Sequence, residues 1–150
     1  MTDEEVIEAV TQWFEREFPC RHYENENAEL KHLEFELGKW IEQKYPDWKV
    51  RSGSKKFITL FGWECDTDLE LRNQKRSSVI PIEVKLTKEG TEYGTLHAMG
   101  QAIYYSRKAG HALALVVDQG RAARERTHDE RKLQDDLWNK LRVRLSVRKA

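Results

Sequence analysis

One short segment that joins an apolar strand pattern to two charged residues most constrains how this chain can fold. Residues 78–87 read Ser-Val-Ile-Pro-Ile-Glu-Val-Lys-Leu-Thr, and their β-branched side chains predict a strand. Because side chains alternate along a strand, Ile82 and Val84 belong to one face, whereas Glu83 and Lys85 belong to the other. Desolvating two charges is costly unless partners or a metal compensate. The fold must therefore provide a compensating environment for Glu83 and Lys85.

Length and composition favour one intracellular domain. A chain of 150 residues suits a single core, so we expect one domain over residues 1–150. Lys plus Arg and Asp plus Glu each number 26, and without a global basic field any DNA contact must come from local clusters. Cys20 and Cys65 fit a reducing compartment. The acidic start and the lack of a long apolar run predict no signal peptide and no membrane partner. We expect a cytoplasmic or nucleoid-associated protein.

The first half of the chain predicts two helices and then strands. A capping box at Thr2 starts one helix, which ends before Pro19, and a second helix runs from about residue 27 to 44. Glu36 flanks the apolar stripe of that second helix. A short strand is predicted at 48–51. A long strand at 57–71, bent at Gly62, carries Glu64, Asp66, Asp68 and Glu70 on one acidic face and turns back into the strand at 78–87 as a hairpin.

The second half predicts a crossover and a basic edge strand. A helix at 95–109, capped by Gly110, precedes a buried strand at 111–117, which implies a right-handed crossover and a parallel strand pair. Another helix follows a capping box at Thr127. The tail from 142 to 148 alternates apolar residues with arginines and predicts an edge strand with a basic outer face. Such an edge could pair with a second copy to form a homodimer.

The predicted hairpin brings together residues suited to metal-assisted hydrolysis. Asp68 lies on one strand, and Glu83 and Lys85 lie on its neighbour. Two carboxylates from adjacent strands can hold Mg²⁺, and a neighbouring ammonium can orient water or stabilise charge on a phosphate oxygen. Asp66 is the rival for the aspartate position because it shares a strand face with Asp68. The alternative interpretation of Glu83 and Lys85 is a solvent-facing ion pair.

These elements resemble the PD-(D/E)XK nuclease superfamily over roughly residues 27–117. The resemblance rests on a helix with Glu36, then Thr67-Asp68, then Ile82-Glu83-Val84-Lys85. The spacing of Gln101 and Tyr105 matches the Gln-x-x-x-Tyr motif of RecB-like and Cas4-like members. Residues 36–39 and 51–55 look like the archaeal Holliday junction resolvase branch. Two departures separate the chain from these branches: residues 57–65 intervene before the aspartate, and the iron-sulfur cysteines of Cas4-like proteins have no counterpart.

The resemblance implies a fold, a metal and roles for individual residues. The implied fold is α/β, with a restriction-endonuclease-like core in which helices flank a mixed β-sheet, plus an extra N-terminal helix and a C-terminal helix and strand. Asp68, Glu83 and the carbonyl of Val84 would coordinate Mg²⁺ or Mn²⁺. Lys85 would position or activate the attacking water, and Glu36 would bind a metal-held water or a second ion. Gln101 and Tyr105 would support the site and contact DNA.

The predicted function is a metal-dependent DNA endonuclease or exonuclease, with branched or Holliday junction DNA among its candidate substrates. Two basic turns are the candidate phosphate contacts, and they contribute Ser54, Lys55, Lys56, Lys75 and Arg76. The alternative is a non-catalytic module that keeps a nuclease-like fold and binds nucleic acid or protein.

Overall fold

The computed structural model describes residues 1–88, 93–120 and 126–150. In chain order the elements are α1 (Asp3–Arg16), α2 (Glu26–Lys44), β1 (Trp48–Ser52), β2 (Ile58–Leu60), β3 (Trp63–Cys65), β4 (Leu69–Asn73), β5 (Val79–Thr87), α3 (Gly94–Ala109), β6 (Ala112–Asp118), α4 (His128–Leu141) and β7 (Val143–Lys149). Within these described ranges, no helix is long and apolar enough to cross a membrane.

A mixed five-stranded sheet forms the centre of the fold, in the order β1-β4-β5-β6-β7. β1 and β5 each pair antiparallel with β4, whereas β5, β6 and β7 run parallel. The predicted α/β class, the β4–β5 hairpin and the parallel crossover through α3 are therefore confirmed. Gly110 ends α3 with φ 88°, the left-handed conformation that favours glycine.

Helices cover both faces of the sheet and divide its core into two clusters. On one face, Phe14 of α1 and Leu37 of α2 pack with Ile82 and Val84 of β5. On the other, α3 and α4 pack against small and branched residues of β6 and β7, with Tyr105 fully buried there. The predicted N-terminal caps of α1 and α4 are confirmed, since the hydroxyls of Thr2 and Thr127 accept hydrogen bonds from the Glu5 and Glu130 amide N–H groups.

The predicted long strand at 57–71 is wrong, because the chain makes a separate hairpin there. β2 pairs with β3, and Leu60 lies opposite Trp63, so only Phe61 and Gly62 form the turn. Both turn residues have positive φ, 52° and 74°, which reverses the chain instead of bending it. β4 begins only at Leu69. The continuous acidic face expected on that strand consequently does not form, and Glu64 lies on a different sheet from Glu70.

The tail strand lies at the sheet edge as predicted, but its basic side chains do not form an open surface. Arg142 Nη2 lies 2.9 Å from Glu4 Oε1, and Arg144 Nη2 lies 3.1 Å from Glu8 Oε2. These pairs dock β7 onto α1, and they replace the expected basic outer face. A homodimer through this edge stays a prediction.

Candidate active site

Asp68 and Glu83 face each other where the β4–β5 ladder ends. Leu69 pairs with Ile82, so the preceding residue, Asp68, stands opposite Glu83. The two carboxyl groups hydrogen-bond to each other. Glu83 is only 5% exposed. A buried contact between two carboxyl groups requires a shared proton or a cation, because two adjacent negative charges would repel.

Beyond the end of the β4–β5 ladder, the backbone of β5 donates hydrogen bonds to Asp68 and to Glu26. The Val84 N–H donates to Asp68 Oδ2 at 2.8 Å, and the Leu86 N–H donates to Glu26 Oε1 at 3.0 Å. Each residue of a strand directs its N–H and C=O to the same side. The Val84 carbonyl therefore lies along the same edge as Asp68, as the resemblance requires of a metal ligand.

The pKa values of both carboxyl groups are raised. Burial raises the pKa of Glu83 to about 9, and the charge of Asp68 adds to the effect. Burial also raises the pKa of Asp68, although the Val84 N–H opposes it. Without a cation, the pair thus holds a proton near neutral pH. The same pair gains charge if a cation displaces that proton.

Tyr105 fixes the position of Glu83. Its Oη lies 2.6 Å from Glu83 Oε2, 2.6 Å from the Asp66 carbonyl oxygen and 3.0 Å from Gln101 Oε1. Burial, with the charge of Glu83 second, raises the Tyr105 pKa far above its usual range, so the group stays a phenol. A phenol has one proton, so the Tyr105 hydroxyl can donate to only one of these three oxygens at a time, and its donation to Glu83 acts to lower the Glu83 pKa. Tyr105 thus contacts the acidic pair directly and Gln101 contacts Tyr105, while a DNA contact by either residue stays a prediction.

Lys85 reaches the solvent side of the acidic pair. It lies two residues after Glu83 on the same strand face, and its Nζ is 3.8 Å from Glu26 Oε1. Its stem packs against α3, since a Cβ built on Gly94 would lie 3.2 Å from Lys85 Cε. The positive charge acts to lower the pKa values of Asp68 and Glu29. A cavity of about 410 Å³ borders Lys85 and Glu26.

Two acids of α2 lie near the site, and sequence reasoning missed both. Glu29 is fully buried, and neither of its carboxyl oxygens makes a hydrogen bond of normal geometry. The Val117 N–H acts to lower the Glu29 pKa. Burial raises the Glu29 pKa to about 9, followed by the charges of Glu26 and Asp68. The sequence does contain a signal that Glu29 is buried. Glu29 lies four residues before Leu33, which continues at the same spacing to Leu37 and Ile41 on the buried face of the helix.

Glu36, the predicted helix acid, is not among the groups that act on this pair. Its oxygens lie 3.3 Å from Lys39 Nζ and 3.9 Å from His32 Nε2, both on its own helix. Seven residues separate it from Glu29, about 10 Å along the helix axis. In the described structure, Glu26 and Glu29 occupy the place near Asp68 that the resemblance assigned to Glu36.

The neighbouring acids Asp66 and Glu70 have structural partners. Asp66 Oδ1 accepts the Lys56 N–H at 2.8 Å, and this bond is the main cause of its lowered pKa. Glu70 is fully buried, but donors from Ser54, Thr67 and Arg72 outweigh its desolvation and lower its pKa. Of the competing aspartates, Asp68 is the one that stands opposite Glu83.

The two predicted basic turns lie at different ends of the sheet. The Gly53 N–H donates to the Asp68 carbonyl at 3.1 Å, so the turn with Ser54, Lys55 and Lys56 adjoins the site. Gly53 is required there, because a Cβ would lie 1.6 Å from the Thr67 carbonyl oxygen. The other turn, at residues 74–78, lies at the opposite end of β4 from Asp68, roughly 17 Å away.

Lys75 and Arg76, the basic residues of that distant turn, have local partners. Lys75 Nζ lies 3.4 Å from Asp47 Oδ1, and Arg76 Nη2 lies 2.6 Å from Asp3 Oδ1. The expectation that both turns flank the site is therefore corrected to the turn at 53–56 alone.

The donor chemistry at Asp68 and Glu83 fits a hard divalent cation. Over residues 1–88, 93–120 and 126–150, no group of three or more His, Cys, Asp or Glu side chains is arranged to hold a metal. Mg²⁺ commonly takes only one or two carboxylates and keeps several waters, so a carboxyl pair beside a backbone carbonyl suffices. Comparisons with protein-family models, with curated proteins and with solved structures found no match for the chain.

Proposed function

We propose that this protein is a nuclease that hydrolyses phosphodiester bonds in DNA with Mg²⁺ or Mn²⁺. The observation that carries the proposal is the buried contact between Asp68 and Glu83, with Lys85 two residues further along the same strand. An ordinary structural ion pair would neutralise each carboxylate with a cationic side chain. Here two acids meet each other, and their pKa values are raised instead of lowered.

Each residue would contribute a distinct part of the chemistry. Asp68, Glu83 and the Val84 carbonyl would hold the cation, which supplies Lewis-acid stabilisation of charge on a phosphate oxygen. Lys85 would orient the attacking water or hydrogen-bond a phosphate oxygen, and Glu26 would hold its ammonium in place. Tyr105 would keep Glu83 in the ligating position through its hydroxyl group.

A basic groove extends from the turn at 53–56, which adjoins the site, toward the distant turn at 74–78, and it offers a path for the DNA backbone. Its cavity of about 550 Å³ is lined by Lys55, Lys56 and Lys108 among others. The side chains of Lys55 and Lys56 are largely exposed, at 89% and 70%. Such groups bind phosphate with little dependence on sequence, and DNA affinity should fall steeply as salt rises. A flat salt response would contradict this part of the proposal.

The direct test is cleavage of labelled linear duplex, single-stranded and four-way junction DNA, with Mn²⁺ or with EDTA. We expect metal-dependent products from at least one substrate, and none from Asp68→Asn. Asp66→Asn is the matched control, because Asp66 lies two residues away but binds the Lys56 amide. Equal activity of the wild-type protein and Asp68→Asn would remove the assignment.

The second candidate function is a non-catalytic module that binds nucleic acid or protein. The hydrogen bond between Asp68 and Glu83 favours it, since a protonated pair is self-sufficient without a cation. A module of this kind would bind DNA through the basic groove and leave all three substrates intact in Mn²⁺.

A further inference from the structure

The hairpin of β2 and β3 stands apart from the main sheet and ends in an apolar tip. Its base is anchored, because Phe57 and Cys65 are buried in the cluster that contains Tyr105. Its tip is exposed: the side chain of Phe61 is 97% exposed, and that of Trp63 is 65% exposed. It is unusual for two large aromatic side chains to be exposed to solvent at the tip of one hairpin.

The turn residue Phe61 is unfavourable for the backbone as well as for solvation. A two-residue turn with positive φ at both positions favours Asn-Gly, and a bulky side chain at its first position is disfavoured. Phe61 occupies that first position with φ 52°, followed by Gly62 with φ 74°. Neither folding nor solubility accounts for a phenyl ring at this place. Backbone outliers of this kind cluster at functional sites.

The hairpin is joined directly to the acidic site. The Tyr105 hydroxyl, which contacts Glu83, also lies 2.6 Å from the carbonyl oxygen of Asp66 at the end of the hairpin. Asp66 in turn accepts the Lys56 N–H at the opposite side of the hairpin base. Exposed Lys55 and Lys56 therefore flank the stem of the hairpin, where their ammonium groups lie 3.5 Å from Asp66 and 3.8 Å from Glu64.

We propose that the β2–β3 hairpin is a wedge that stacks Phe61 on an unpaired base of the nucleic acid bound at Asp68 and Glu83. This inference rests on the proposed function and narrows its substrate to duplex DNA with an opened step, such as a fork, a junction or a frayed end. Lysines at the base suit the phosphate backbone, and an aromatic ring at the tip suits the face of any base. A membrane surface or a second copy of the chain would not use the acidic site beside the hairpin.

The test is binding of the wild-type protein to a fluorescent forked oligonucleotide and to a blunt duplex of the same sequence, in EDTA, by anisotropy. Phe61→Asn should bind the fork about tenfold to a hundredfold more weakly, as expected for loss of one base stack, and should bind the blunt duplex as before. Because Asn-Gly suits this turn, the variant should fold at least as stably. Phe61→Tyr should restore fork binding.

Phe35→Ala is the matched control, since Phe35 is also an exposed phenylalanine, at 62%, but lies on α2. It should bind both oligonucleotides like the wild-type protein. Unchanged fork binding by Phe61→Asn, equal losses on both DNAs, or no fork binding by the wild-type protein would overturn the wedge. So would a change from dimer to monomer in Phe61→Asn, or wild-type binding to lipid vesicles that Phe61→Asn abolishes.

Binding in EDTA separates this inference from the nuclease proposal. Fork-selective binding that depends on Phe61, without cleavage in Mn²⁺, would leave the wedge and refute the nuclease. Metal-dependent cleavage with identical fork binding by Phe61→Asn would refute the wedge and leave the nuclease.

Discussion

Two buried glutamates on neighbouring strands, Glu70 and Glu83, have opposite environments. Glu70 is fully buried and receives hydrogen bonds from Ser54, Thr67 and Arg72, which lower its pKa. Glu83 is nearly as buried, but it contacts another acid, and its pKa rises to about 9. Burial is the main cause of the raised Glu83 pKa and the charge of Asp68 adds to it, whereas three donors outweigh the burial of Glu70. Glu70 holds a loop in place, whereas Glu83 is one of the groups that we propose bind a cation.

The largest expected effect is on cleavage by Lys85→Ala, and it distinguishes Lys85, beside Glu83, from Arg72, beside Glu70. Lys85→Ala should lower cleavage by roughly a hundredfold to a thousandfold, as for removal of one group that stabilises transition-state charge. Its melting temperature should change little, because the Lys85 ammonium pairs with Glu26 at 3.8 Å and not with a fully buried group. Cleavage rates and circular dichroism melts measure the two effects.

Arg72→Ala is the counterpart and should act on stability instead. It removes the cation from buried Glu70, and because Arg72 is itself 44% exposed we expect a loss of about 2 kcal/mol. Urea denaturation gives the value. A variant that lost cleavage at unchanged stability would contradict the structural role assigned to Glu70.

Mn²⁺ should stabilise the protein through the Glu83 region. At a metal concentration a hundred times the Kd, the gain is about 2.7 kcal/mol, which is several degrees in melting temperature for a domain of this size. Asp68→Asn should abolish the shift, whereas Glu70→Gln should keep it. Equal shifts in wild-type protein and Asp68→Asn would place metal binding elsewhere and weaken the comparison.

Stability should fall as pH rises from about 5 to 9. The Glu29 pKa is raised from 4.5 to about 9, so its contribution is fully present below 4.5 and is lost progressively as pH rises through the folded value. Glu29→Gln keeps the shape of the side chain but removes the carboxyl group that titrates. It should be more stable than wild type at pH 8, by about 4 kcal/mol, with a gain below about 1 kcal/mol at pH 5. Urea titrations at the two pH values measure this, and a uniform shift would contradict it.

Tyr105→Phe should give the smallest effect, about 1 kcal/mol of lost stability, because a buried hydroxyl and its hydrogen bonds disappear together. Urea denaturation at pH 7 measures it. The Mn²⁺ shift should become smaller as Glu83 loses its positioning contact. An unchanged Mn²⁺ shift would mean that Tyr105 has a packing role only.

Much of the fold follows from local patterns. The caps at Thr2 and Thr127, the apolar series of the helices and the β-branched segment at 79–87 each depend on near neighbours, and all formed as predicted. The hairpin at 58–65 did not, because alternation along one strand looks the same when a tight turn divides it into two. For this reason the sequence predicts only a bend at Gly62, where the structure has a two-residue turn.

The residues of the candidate site divide in the same way. Glu83 and Lys85 are predictable because their strand is apolar and spacing of two is enough to put them on one face. Glu26, the partner of Lys85, is not predictable, since it comes from a distant segment, and contacts between distant segments depend on register and packing. Glu29 rather than Glu36 lies near Asp68 because the start of α2, not its middle, packs near the end of the β4–β5 ladder. Local chemistry thus specified which side chains could be reactive, and long-range packing selected those that meet.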